Sequence, residues 1–292
     1  MIQHLTSPQA AQKWCDASRA QGKSIGFVAT MGALHPGHIS LIKRAREEND
    51  RVVASIFVNP LQFNQASDLD KYPRNEADDI KQLSAAGVHA VFTGTPQAFL
   101  GDAQGKPTSE LADPGIYARG LEGTHRPGHF SGVREIVLRL FGFVGSCRAY
   151  FGEKDYQQVQ VIKQLAATLP GINVITCPTS RESSGLARSS RNLRLSAQGK
   201  RDASIIYAAM QAANTLWSQG IRTPTLIQQS MLGILQTSPI ELEYAEIRDP
   251  LHWTETQPVS DISQARVFIA GNMQGVRLID NMALGRLNID TG

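Results

Sequence analysis

The chain has 292 residues, 41% of them hydrophobic and 19% charged, with 25 Gly and 14 Pro. That apolar content excludes a disordered or fibrous chain, and the length allows one large domain or two ordinary ones without disulfide staples. The formal net charge of +3 is unevenly spread: residues 117–201 hold 13 Lys/Arg and 5 Asp/Glu, a local excess of eight positive charges. An anionic partner, either a phosphate-bearing small molecule or a nucleic acid, is one reading of that bias; a solvated basic face is the other. Cys15, Cys147 and Cys177 are odd in number and scattered, which argues against a disulfide framework or zinc ribbon. The opening MIQHLTSPQA has no basic stretch followed by an apolar one, and no run of 18 apolar residues occurs. We therefore expect a soluble, intracellular protein without a membrane span.

In chain order, residues 24–30 (SIGFVAT) read as a buried strand, and 36–49 place Ile39, Ile42 and Ala45 on one helical face. Residues 51–58 (RVVASIFV) read as a second buried strand. Strand, helix and strand at this spacing make a βαβ unit with parallel strands. The alternation continues with a helix over 75–86 ending at Gly87, a strand over 88–93 and a turn-rich surface loop over 100–114. A helix over 131–144, a strand over 148–151, a helix over 155–168 and a strand over 172–177 come next. Residues 1–178 are thus expected to form a Rossmann-like, doubly wound parallel sheet. The pattern then changes to a polar loop over 179–195, helices over 196–218 and 224–236, and strands over 240–248, 265–270 and, after the turn GNMQG, 275–280. Residues 179–292 are expected to form a smaller α+β domain.

Two common phosphate-binding devices are missing. No GxGxxG comes after the first strand, and Gly22-Lys23-Ser24 has Ala17 where a P-loop needs Gly and precedes its strand. The strand instead leads into Thr30-Met31-Gly32-Ala33-Leu34-His35-Pro36-Gly37-His38. Pro36 suits the first turn of a helix. His35 and His38, three apart, can share one face at the positive helix end, and Gly37 leaves room for a ligand to approach the backbone. Two imidazoles and free N–H groups there suit a polyphosphate; a zinc site would need further Cys/His ligands. Asn59 and Gln62, between Phe57 and Phe63, mix amides with apolar walls as a small polar molecule requires. Asp78 and Asp79, after Glu76, read as a cluster favoured by the helix dipole, and Asp155 as a helix N-cap. Ser189-Ser190-Arg191 supplies phosphate donors.

His35-Pro36-Gly37-His38 resembles the HxGH signature of the nucleotidyltransferase superfamily. The segments TMGALHPGH (30–38), FVNPLQF (57–63), YPRNEADD (72–79), RPGHFSGV (126–133), YFGEKDYQQ (150–158), RESSGLARSSRN (181–192) and RLIDN (277–281) together resemble the pantoate–β-alanine ligases (pantothenate synthetases) across most of the chain. The resemblance implies ATP-dependent joining of pantoate to β-alanine through a pantoyl adenylate, releasing AMP and pyrophosphate. It implies ATP contacts at Thr30, Met31, Gly32, His35, Gly37, His38, Gly152, Lys154, Asp155, Ser180, Arg188, Ser189, Ser190 and Arg191. Among these, His35, His38, Lys154, Ser189, Ser190 and Arg191 would offset charge during the chemistry, the last three on a loop like the superfamily's KMSKS element. Gln62 and Gln158 would bind pantoate, with Asn59, Phe57, Phe63, Met31, Arg126 and His129 in the same pocket. Asp78 and Asp79 would hold Mg²⁺, the protein would be a cytoplasmic homodimer, and residues 179–292 would act as a lid. The chain departs from the family's usual residues at Ser180, Ser184, Arg188 and Arg134-Glu135. A nucleic-acid-binding module is the rival class; the basic residues lie within folded elements and lack an interleaved aromatic platform.

Overall fold

The computed structural model describes residues 2–285. One compact unit runs to Ala118 and resumes over Glu122–Thr179; Arg119–Leu121 cluster with a second unit that continues from Ser180. In the second unit Trp253 Nε1 donates to Arg119 O (3.1 Å), which explains why those three residues leave the segment around them.

The first unit contains, in order, β1 (Gln3–Leu5), α1 (Pro8–Ala20), β2 (Ile25–Thr30), α2 (Pro36–Glu48), β3 (Arg51–Ile56), α3 (Ala66–Asp70), α4 (Glu76–Ala85), β4 (Ala90–Phe92), α5 (Pro96–Leu100), α6 (Glu122–His125), α7 (His129–Val144), β5 (Cys147–Gly152), α8 (Tyr156–Ala166) and β6 (Ile172–Cys177). Its six strands are parallel, in the order β1-β4-β3-β2-β5-β6. The near-continuous apolar runs of β2 and β3 reflect burial on both sheet faces. Side-chain alternation divides the core in two. Phe27, Val53 and Phe92 join Leu140 and Ile162 in one cluster, and Val28, Val52 and Val91 join Ile42 and Leu83 in the other. The expected doubly wound parallel sheet is therefore found. Strand order reverses between β2 and β5, and that break positions the site.

Several details differ from the sequence reading. β1 and α1 carry little periodic signal, because β1 is three residues long and the buried positions of α1 are Pro8, Ala11, Cys15 and Ser18. β3 stops at Ile56, two residues short of the expectation, where the chain turns toward Asn59. Residues 100–114 are not a plain surface loop: Leu100 and Ala103 are buried, and 3-10 turns form at Gly101–Ala103 and Thr108–Glu110.

The second unit contains α9 (Ala197–Ala203), α10 (Ile205–Ser218), α11 (Pro224–Leu235), β7 (Glu241–Arg248), β8 (Arg266–Met273) and β9 (Val276–Ala283). The helix expected over 196–218 is thus two helices. The strands form an antiparallel sheet, β7-β8-β9, packed under Ile206, Met210 and Met231. Both later strands outrun the expected segments. Gln274 (φ 53°) and Gly275 (φ 73°) alone make the turn, with Met273 opposite Val276, so most of GNMQG is strand. Paired left-handed residues match the twist of a tight hairpin. All three cysteines are free and buried.

Candidate active site

The segment after β2 is held by its own polar groups. Thr30 Oγ1 donates to Ser55 O (2.7 Å) and accepts from Gly32 N (3.2 Å), tying the end of β2 to β3. Gly32 (φ 77°) and Ala33 (φ 50°) are both left-handed and swing the chain into α2. His35 occupies the N-cap of α2, with Pro36 in the first turn. Its Nδ1 accepts from Gly37 N (3.2 Å), and its backbone N–H donates to His38 Nδ1 (3.3 Å). The ring centroids lie 4.0 Å apart. Because each Nδ1 accepts, each neutral ring carries its proton on Nε2. The reciprocal cap thus fixes both tautomers and makes both rings N–H donors at the positive end of a helix. Burial first, and the neighbouring His35 second, push the His38 pKa down to about 3, so His38 donates without carrying charge at neutral pH.

β2 pairs with β5 through Gly26↔Arg148 and Phe27↔Ala149. The segments leaving their C-terminal ends, residues 31–38 and 152–158, therefore sit on either side of the sheet's reversal, where ligands of open α/β sheets bind. A Cβ added at Gly152 would meet no atom within 4 Å, so the backbone there can be approached. Lys154, in a 3-10 turn over Glu153–Asp155, has its Nζ 3.4 Å from Asp155 Oδ1. Asp155 holds the N-cap position of α8 as expected, but makes no side-chain capping bond. Gln158 is half-buried on the first turn of α8.

The segment after β3 is held by polar groups of its own and of α7. Asn59 is only 1% exposed. Its Nδ2 donates to Gly132 O and to Gln62 Oε1 (both 3.1 Å), and its Oδ1 accepts from Leu61 N (3.3 Å). Asn59 thus orients the Gln62 amide so that Nε2 is presented as the donor. Arg126 and His129 likewise point inward: Arg126 Nη2 donates to Gln62 O (3.0 Å), and His129 Nδ1 lies 2.9 Å from the same oxygen. A carbonyl can only accept, so Nδ1 carries the proton and Nε2 accepts from Arg126 Nη1 (3.2 Å). Both residues hold the Gln62 backbone carbonyl. Phe57 is a core residue, 8% exposed and stacked on Phe99 (centroids 4.2 Å apart). Phe63 stays half-buried, edge-on to Tyr72 at 5.7 Å, and Met31 is half-buried beside Gly32.

Gly132 was not singled out by sequence. A Cβ there would meet Leu61 O at 2.2 Å and Leu61 C at 2.4 Å, both backbone atoms that cannot swing away. Gly132→Ala should cost roughly 1–3 kcal/mol by displacing the Leu61–Gln62 backbone; an unchanged urea midpoint would contradict this packing.

Asp78 and Asp79 do not make a metal pair. Asp79 Oδ2 accepts from Ala33 N (2.9 Å) and Oδ1 from Leu34 N (2.8 Å). Asp78 is exposed and accepts from Gln82 Nε2 (2.8 Å). Among the described residues no group of three or more His, Cys, Asp or Glu is placed to hold a metal ion. With both Asp79 oxygens already on backbone N–H groups and Asp78 turned to Gln82, this pair does not fit a resident Mg²⁺.

The remaining predicted residues form a separate loop in the second unit. Arg188 N donates to Ser180 O (2.9 Å) and Arg188 Nε to Arg181 O (3.1 Å). Ser189 caps the 3-10 turn Ser190–Arg194 by accepting from Arg191 N (3.3 Å), and Ser190 is buried. Sequence reasoning missed the anchor of this loop. Arg181 donates to both carboxylate oxygens of Asp280 (2.6 and 3.1 Å) and stacks over Tyr207 at 4.7 Å. An acidic residue inside an apolar strand, as in RLIDN, is the signal that could have found it.

Two imidazoles, the half-buried His38 and the buried His129, set an acid limit. Burial is the largest cause for both, and Arg126 adds to it at His129, whose pKa is also pushed down to about 3. Unfolded histidine takes a proton near pH 6.5. Between pH 6.5 and about 3 the unfolded chain binds protons that the fold refuses, so stability rises with pH in that window and falls on acidification. Each group contributes a slope of up to about 1.4 kcal/mol per pH unit. Urea midpoints measured across this range should fall toward acid, less steeply in His129→Gln; equal slopes would count against a neutral buried His129.

The chain matches the Pantoate-beta-alanine ligase family model over residues 3–283. A pantothenate synthetase of Cytophaga hutchinsonii is 44% identical over 282 residues, covering 96% of this chain and 98% of that protein. One from Rubrobacter xylanophilus is 40% identical over 289 residues, with the same coverage of 96% and 98%. Among solved structures, a pantothenate synthetase from Thermus thermophilus superposes with a TM-score of 0.86 at 36% identity, over 96% of this chain and 99% of that one. A pantoate-beta-alanine ligase from Francisella tularensis, complexed with beta-gamma ATP and beta-alanine, superposes with a TM-score of 0.77 at 34% identity, over 97% and 98%. With the imidazole pair and the lysine turn at the reversal of its sheet, and with these matches along nearly its whole length, this chain belongs to the pantoate–β-alanine ligase family.

Proposed function

We propose that this chain joins pantoate to β-alanine at the expense of ATP. A pantoate carboxylate oxygen attacks the α-phosphorus, the bond from that phosphorus to the bridging oxygen breaks, and pyrophosphate leaves. The β-alanine amine then attacks the acyl carbon of pantoyl adenylate. The acyl C–O bond breaks, AMP departs with its electron pair, and the amine sheds a proton. Activation is needed because oxide is a poor leaving group and AMP a good one.

One observation carries this reading. Two imidazole Nε2–H donors and the Lys154 ammonium leave neighbouring strands at the sheet's reversal, and the Gln62 amide is fixed at the end of the next strand. The donors suit negative charge that grows as pyrophosphate departs; the amide suits a carboxylate or hydroxyl. Ser189, Ser190 and Arg191 take the leaving pyrophosphate in the family resemblance, Ser180 and Arg188 the nucleotide, and Gln158 pantoate alongside Gln62. Mg²⁺ enters with the nucleotide as MgATP. A lid role for residues 179–292, a homodimer and a cytoplasmic location belong to the same proposal.

The test is AMP formation with ATP, Mg²⁺, pantoate and β-alanine, each omitted in turn. Dependence on all four is expected. AMP formation indifferent to pantoate would sink the reading.

A further inference from the structure

Gly32 and Ala33, consecutive residues with φ of 77° and 50°, precede the N–H groups of Ala33 and Leu34. Successive backbone N–H groups in such a turn make an anion-binding concavity. In an ATP site this concavity, one residue before His35, is an obvious phosphate cradle. It is already filled. Asp79, 2% exposed and in the first turn of α4, accepts Ala33 N on Oδ2 (2.9 Å) and Leu34 N on Oδ1 (2.8 Å). The packing is close: a Cβ at Gly32 would lie 2.8 Å from Asp79 Oδ2. With both oxygens on backbone donors and Asp78 turned to Gln82, this carboxylate serves the loop and not a metal.

We infer that Asp79 is a positioning residue: it plugs the concavity, locks the left-handed turn at Gly32-Ala33, and so sets where His35 and His38 stand. The triphosphate is then met by the imidazole Nε2–H groups and the α2 N-terminus, and not by the N–H groups of Ala33 and Leu34. The inference rests on the ATP-dependent reading above.

Asp79→Asn tests it, because the amide offers one acceptor and one NH₂ to two N–H donors. Pantoate-dependent pyrophosphate release should fall in kcat by roughly tenfold to a hundredfold, the scale set by displacing a site about 1 Å. The Mg²⁺ concentration for half-maximal rate should not move. A kcat within about twofold of the parent, or one restored by excess Mg²⁺ with a raised half-saturation, overturns the inference. Should the variant not fold, hydrogen exchange in the unaltered protein decides. The Ala33 and Leu34 amides should be strongly protected, and exchange at unstructured-peptide rates overturns the inference. A parent protein without pantoate-dependent turnover would defeat the functional reading instead, and exchange would still report on Asp79.

Discussion

Replacing Lys154 with alanine lowers pantoate-dependent AMP formation by roughly two to three orders of magnitude, the usual loss for one preorganised donor at a developing charge, and leaves the fold intact. The ammonium lies in a short turn at the end of β5 and is 3.4 Å from Asp155 Oδ1, with side chains 18% and 45% exposed. An ion pair this open to solvent contributes little to stability, about 1 kcal/mol or less, so the thermal midpoint should barely shift. The loss should appear in kcat for adenylate formation more than in the KM for ATP, because charge grows only as pyrophosphate departs. Single-turnover measurement of pantoyl adenylate checks this directly. Near-normal turnover would remove Lys154 from the chemistry.

His38→Ala is the second large effect, with an expected fall of roughly a hundredfold or more in the same step. The loss has two parts. The Nε2–H donor disappears, and so does the acceptor for His35 N (3.3 Å), which loosens the reciprocal cap on α2. Because burial holds the His38 pKa at about 3, the ring works as a neutral donor. The parent's kcat/KM should therefore show no His38 ionisation near pH 6.5. A His38-dependent loss of activity with a pKa near 6.5, absent from the variant, would mean that the ring works charged and would overturn this account.

Much of the fold was readable along the chain because β strands and helices announce themselves by their own burial. Residues 25–30 and 51–56 are apolar runs covered on both faces, and the helices between and after them carry one apolar stripe. The spacing of His35 and His38 follows from helix geometry alone, and the structure places both at the N-terminus of α2. The elements missed were those with little apolar area to declare them: β1, and α1 with its small buried residues.

The sequence by itself determined the order of elements, the parallel sheet, the histidine pair and the segments that gather at its C-terminal edge, since all of these depend on local periodicity and chain order. Only the tertiary structure decided which protein groups the polar side chains of those segments bond. Asn59, Arg126, His129 and Asp79 are donors and acceptors like their neighbours. Their partners, Gln62 for the first three and Ala33 and Leu34 for Asp79, come from other elements or across a turn. A buried polar group must find a partner, and which one it finds depends on what folding brings beside it, which no spacing along the chain encodes.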